Sequence, residues 1–310
     1  DPDTSASYEA IKIESDTFET IYFANAKNVT IDALGGDDII NINLTQPSAG
    51  LKSLTVQGGD GIDEIRIIKA LLEGIDLDFR AEDIIVGSGV ERAVVKGNRI
   101  RFIAESEYKG ILPIKVSAII KLENAEITAA DQLFIKALSV QEPGIIEGIL
   151  EIKDTIAEVL IKDTVLDVGE LIIIAESGLH LTPDDFFDSI LETPTVIANV
   201  RACVIIDGNS RIHSGGDIHL KASSDVETAS IVNFKGIVGT GAFAISVVNS
   251  TAEALLRGNT ILSADGKVVI AAENSTQVDT IADGSAFSEG AGGVPCVAIS
   301  VVTADTRAGI

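Results

Sequence analysis

The stretch Gly58-Gly59-Asp60-Gly61-Ile62-Asp63-Glu64-Ile65-Arg66 is where residue types and spacing come nearest to a built ligand site. It fits the pattern G-G-x-G-x-D-x-U-x, in which glycines turn the chain and expose carbonyl oxygens, an aspartate adds a carboxylate, and the apolar residue enters a core. Hard oxygen donors of that kind suit calcium, so Gly58, Asp60, Gly61 and Asp63 are the candidate metal residues. An earlier stretch, Gly35-Gly36-Asp37-Asp38-Ile39-Ile40-Asn41-Ile42-Asn43, has the same outline, but Asp38 falls at its fourth position and Ile40 at its sixth, where the ligand would stand. A plain glycine turn explains the same residues, because such rolls share each ion between adjacent turns and one full copy beside one degraded copy leaves little to share.

Other reactive residues are present without forming a set. His180, His213 and His219 are the only histidines. The last two could lie near each other, yet they lack a third ligand and read as solvent-facing strand residues. Thr182 reads as the N-cap and Pro183 as the first residue of a short surface helix over 183–191, so Asp184, Asp185 and Asp188 read as capping and solvation of that helix. Enzymes built on coiled β-strands that cleave or epimerise polyuronides gather aspartates, a basic residue and often a histidine on one strand face. No such gathering is visible in the linear order. G-x-S-x-G, H-E-x-x-H and P-loop signatures are absent as well. No catalytic residue and no organic cofactor is therefore assigned.

The elements that would position the glycine turn are repeats. GNSRIHSGGDIHLKASS from Gly208 matches GNTILSADGKVVIAAEN from Gly258, in register 50 residues apart. Each contains a turn, then apolar residues at every second position, then a small residue. That strand recurs in copies ending at Ala33, Gly58, Ser88, Ala104, Ala137, Ala175, Ala222 and Ala272. A second strand, Ala244-Ile245-Ser246-Val247-Val248, returns as Ala298-Ile299-Ser300-Val301-Val302. Alternation puts one row of apolar side chains inward, and the small residue lets the backbone turn a corner.

Short strands, corners and recurrence predict an all-β parallel β-helix, or β-solenoid, with irregular loop insertions and one short helix. The small residues stand 25, 30, 16, 33, 38, 47 and 50 residues apart. This spacing predicts coils of roughly 16 to 25 residues, some intervals holding two. An array of β-sandwiches with hairpins at Asp207-Gly208 and Asp265-Gly266 stays open as the alternative. Two regions are expected: 1–194, with the glycine turns and the helical insertion, and 195–310, with repeats of about 50 residues.

Composition bounds the function. Lys+Arg 23 against Asp+Glu 47 gives a net charge of −24, which repels nucleic acid and anionic membrane and attracts divalent cations. Hydrophobic residues make up 46% of the chain but aromatics only 4%, so the core must be Ile, Val, Leu and Ala. No apolar run is long enough to insert in a membrane. Met 0 and a C-terminus that falls inside a repeat suggest a piece of a longer chain. Cys203 and Cys296 are too few for a disulfide framework and read as small buried hydrophobes.

The combination of GGDGIDEI with GAFAISVVNSTAEALL and DGKVVIAAENS resembles the giant bacterial surface proteins of the filamentous-haemagglutinin-like and calcium-repeat (RTX-like) adhesin type, over residues 28–66 and about 195–310. The resemblance implies export by a Gram-negative bacterium, an extracellular or cell-surface place, and a role in attachment or aggregation. The expected function is thus a non-enzymatic structural or adhesive segment, a stalk, scaffold or attachment surface. Its partners would be surface glycans or other cell-surface molecules, or copies of itself. A fibre-forming subunit and a polysaccharide-active β-helix lyase or epimerase are the alternatives.

Overall fold

In the computed structural model the described residues form 21 strands and no helix. The structure describes residues 11–13, 21–87, 91–109, 115–142, 149–151, 154–181, 195–233, 242–283 and 296–310. The helix expected over 183–191 lies outside them. Strands β1 (Ile11–Ile13) and β2 (Ile21–Phe23) pair antiparallel. Every other strand pair is parallel. A hairpin array cannot produce that pattern, so the sandwich alternative fails. Asp207-Gly208 and Asp265-Gly266 are corners between successive strands of a coil.

Three ladders run the length of the stack. The first joins β3 (Asn28–Asp32), β5 (Ser53–Gln57), β7 (Asp76–Ala81), β9 (Ala93–Tyr108), β11 (Ala125–Gln141), β14 (Val165–His180), β17 (Ile218–Asn233) and β20 (Val268–Asp283). The second joins β4 (Ile39–Leu44), β6 (Glu64–Leu71), β8 (Asp83–Val86), β10 (Val116–Glu123), β13 (Thr155–Lys162), β15 (Thr195–Asp207), β18 (Ala242–Leu256) and β21 (Cys296–Gly309). The third is made by the ends of β4 and β6, the starts of β9, β11 and β14, then β16 (Arg211–Ser214) and β19 (Ile261–Ala264). A short strand, β12 (Ile149–Glu151), pairs with the start of β15.

Alternation decides which side chains go in. Leu54, Leu77, Ile100, Leu133, Leu171 and Ile218 form one inward column of the first ladder; Ile65, Ile84, Ile120, Val159 and Val204 form the facing column of the second. All are buried within one apolar cluster, where Phe79 and Phe102 stack with centroids 5.7 Å apart. A fully buried Leu, Ile or Phe contributes about 1.5–3 kcal/mol, so the continuous column is the main source of stability.

The small-residue column exists, with one exchange. Ala81, Ala104, Ala137, Ala175, Ala222 and Ala272 pair in register, and Gly58 and Ala33 continue the column. The copy ending at Ser88 does not belong to it: its strand, β8, lies in the second ladder, and the true member is β7, ending at Ala81. Only Glu82 separates β7 from β8, so the linear pattern runs across a corner without a visible turn.

With Ala81 in place, successive members stand 25, 23, 23, 33, 38, 47 and 50 residues apart, and each interval is one coil. The expectation of two coils in the longer intervals is overturned. From the fourth coil on, the first-ladder strand continues past its alanine, over 105–108, 138–141, 176–180, 223–233 and 273–283, before the chain returns in the second ladder. This extension has a partly polar interior. Ser139 and Ser177 donate to the carbonyls of Val116 and Thr155 at 3.0 and 2.9 Å, and Ser224 and Ser250 share a hydrogen bond of 2.8 Å. Small hydroxyls fit there because a carbonyl or hydroxyl across the gap takes each proton, avoiding the cost of an unmade bond.

Candidate functional site: the stacked glycine turns and the outer face

The glycine turns lie at the corner between the first and second ladders, one above the other. Asp60 N–H donates to Leu34 O at 2.6 Å and Gly36 N–H to Asp60 O at 2.9 Å. Gly59 and Gly61 have φ of 107° and 152°, and a Cβ on either would be driven into the carbonyl of Leu34 or Gly36 in the turn below. A Cβ on Gly58 would strike the carboxylate of Asp63. The glycines are thus required by the close approach of two coils.

The pairing also corrects the alignment of the two turns. Ile39 pairs with Glu64, so Asp38 stands beneath Asp63 at a spacing of 25 residues, and the first turn does carry the acid that the glycine-based alignment denied it. In the third coil the same position is Glu82, beside the Glu64–Asp83 pair. These acids stitch the coils: Asp38 N–H donates to Asp63 Oδ1 at 2.8 Å, and Asp63 N–H to Glu82 Oε2 at 2.8 Å. Asp37 Oδ1 likewise accepts Ile62 N–H at 2.9 Å. Above Glu82 the column becomes Ala118, Ala157, Ala202 and Ala252.

Electrostatically this corner is loaded. Asp63 is 1% exposed, and among the described residues neither its Oδ2 nor the buried Oδ1 of Asp83 has a hydrogen-bond partner. Burial raises the Glu82 carboxyl above the ordinary glutamate range, and the like charges of Asp63 and Asp83 act the same way against the hydrogen bond from Asp63 N–H. Burial raises Asp83 too, helped by Glu64. Of the candidate calcium residues, Asp63 presents the buried Oδ2 packed against Gly58, while Asp60 and Gly61 are exposed and the Asp60 carbonyl accepts from Gly36 N–H. Among the described residues no three His, Cys, Asp or Glu side chains converge as a cage.

A second cluster escaped the linear reading. On the outward face of the first ladder, Asp78 pairs in register with Arg101 one coil on, and Asp76 faces Arg99, so Asp76-x-Asp78 and Arg99-x-Arg101 repeat at 23 residues. Arg99 Nη2 donates to Asp76 Oδ2 at 3.1 Å, while Asp78 Oδ2 accepts from Arg80 at 2.9 Å and Arg101 at 3.3 Å. Arg101 lies 5.7 Å from the ring centre of Phe134 in the next coil. Burial acts to raise the Asp76 carboxyl, but hydrogen bonds from Asn98 and Arg99 outweigh it and hold the group below the ordinary range. Side chains 23 residues apart look unrelated in sequence; only the coil length brings them together.

The remaining candidates stay apart. His213 is exposed on β16, while His219 faces outward on β17, 3.7 Å from Asp217. Cys203 is buried, and burial pushes its thiol up to about 11, which leaves it inert; Cys296 is exposed, against expectation. No helix of the described residues is long and apolar enough to cross a membrane. The parallel ladders and stacked corners define a protein of the β-solenoid class. No family model, no curated protein and no solved structure matches the chain.

Proposed function

We propose that the chain is a non-enzymatic structural and adhesive segment of a large exported surface protein, held outside the cell of a Gram-negative bacterium, as the adhesin-like sequence motifs suggest. The observation that supports this most is the continuous parallel pairing that links the described strands from β3 to β21, with outward charges paired between coils. A stack in which each coil contacts its neighbours transmits load along its axis and presents a regular surface. Glycans and other cell-surface molecules are the partners such a surface would meet. Electron microscopy of the native material tests the reading: separate short particles agree with a stalk or scaffold segment. Long uniform filaments would replace it with a fibre-forming subunit whose partner is a second copy.

Calcium at Gly58, Asp60, Gly61 and Asp63 is a further part of the proposal. The buried, uncommitted Asp63 Oδ2 favours a cation there. A bound ion would offset the repulsion among the stacked acids.

A polysaccharide-active reading draws on the Asp76, Asp78, Arg80, Arg99 and Arg101 cluster. It is the weaker reading, because Asp76 is held below the ordinary range and so makes a poor base, and the three arginines already hold carboxylates. Appearance of unsaturated uronides on incubation with a polyuronide would establish it in place of the structural role.

A further inference from the structure

A pocket of about 310 Å³ opens on the outside of the first three coils, beside the strand that follows the second glycine turn. A β-bulge makes it. Ile42 pairs with Ile67 but Asn43 with Lys69, so Ile68 is an extra residue in β6 and is pushed outward, 46% exposed. Asn41, Arg66 and Ile85 stack in register as the outward column of β4, β6 and β8, and Glu91 and Ala93 line the far side, where the chain crosses into β9.

The lining has a definite chemistry. Ile68, Ile85 and Ala93 supply apolar wall, while a cation, an amide and an anion stand around it. Arg66 uses its Nε on Glu64, and its two terminal nitrogens make no ion pair or hydrogen bond among the described residues. Glu91 makes no ion pair among the described residues, although it shares the pocket with Arg66. Opposite charges that line one cavity without meeting are complementary to a molecule that carries both charges. Arg66 suits a carboxylate, Glu91 an ammonium group, and the isoleucines an aliphatic body between them.

We infer that this pocket binds a small zwitterion with an apolar side chain, an aliphatic α-amino acid or the like. The site uses none of the four candidate calcium residues, although Arg66 closes the same nine-residue motif and is held by Glu64 beside Asp63.

Equilibrium dialysis of the whole chain with tritiated L-leucine tests it, with isocaproate, isopentylamine and glucuronate as competitors. Saturable binding is expected, with isocaproate and isopentylamine each about ten-fold weaker, because each loses one charge-assisted contact. Glu91→Gln, an exposed position, should weaken leucine about ten-fold without changing the circular dichroism, and Ile85→Trp should abolish binding by filling the pocket. Absence of saturable leucine binding, equal competition by all three compounds, or stronger binding of glucuronate would overturn the inference.

Discussion

Two glycines with left-handed backbones separate the demands of a turn from the demands of coil stacking. Gly74 has φ 75° and a Cβ there would meet nothing within 4 Å; Gly59 has φ 107° and its Cβ would be forced into the Leu34 carbonyl of the coil below. Alanine at Gly74 therefore bears only the conformational penalty, about 1–2 kcal/mol. Alanine at Gly59 bears the same penalty plus displacement of a backbone group that cannot rotate away, about 1–3 kcal/mol more by analogy with overpacked cores. The sum is about 2–5 kcal/mol, and the two hydrogen bonds that tie Asp60 to Leu34 and Gly36 should be lost with it. Guanidinium unfolding, followed by circular dichroism, should show a clearly lower midpoint for Gly59→Ala than for Gly74→Ala. Hydrogen exchange should show new opening at Gly36 and Asp60 in the first variant alone. Equal midpoints for the two variants would refute the claim that the glycine turn is shaped by the turn beneath it.

Three other expectations follow from the same structure. Ala137→Leu, in the middle of the alanine column, should lower stability by about 1–3 kcal/mol, whereas Ala130→Leu on the exposed side should change it by under about 0.5 kcal/mol, both read from denaturant midpoints. Glu82 and Asp83 have folded pKa values raised above their unfolded ones, so the folded chain binds their protons more tightly. Stability at this corner must then rise as pH falls through the folded value and be complete below the unfolded one. Glu82→Gln should accordingly raise the unfolding midpoint at neutral pH, and its advantage should shrink as pH approaches 4.5; an advantage independent of pH would refute the burial argument. Millimolar calcium should raise the melting temperature over that in chelator, and Asp63→Ala should remove the difference; identical melting in both media would remove calcium from the account.

Much of the architecture was written in the alternation of residues such as Leu54, Val56 and Ile100, Phe102, because period two and a terminal small residue specify a short inward-facing strand and a corner. Register was harder. Gly35 and Gly58 look equivalent as letters, yet the coil is 25 residues long there, and hydrogen bonding places Asp38 beneath Asp63. Ala81 was missed because one residue, Glu82, turns the corner without glycine or proline. The lengthening of coils from 23 to 50 residues reflects an extension whose hydroxyl-lined interior, Ser139, Ser177, Ser224 and Ser250, reads in sequence as ordinary surface. The outward Asp76–Arg99 and Asp78–Arg101 pairs depend on coil length in the same way. Such pairs contribute up to about 1 kcal/mol each when exposed, so they fix register more than they add stability.

The claim that this solenoid attaches without performing chemistry is tested most directly by passing the purified chain over immobilised neutral and acidic polysaccharides while following polymer length. The account expects retention on at least one polymer with its length distribution unchanged. Shortened chains, unsaturated products, or no retention on any polymer would contradict it.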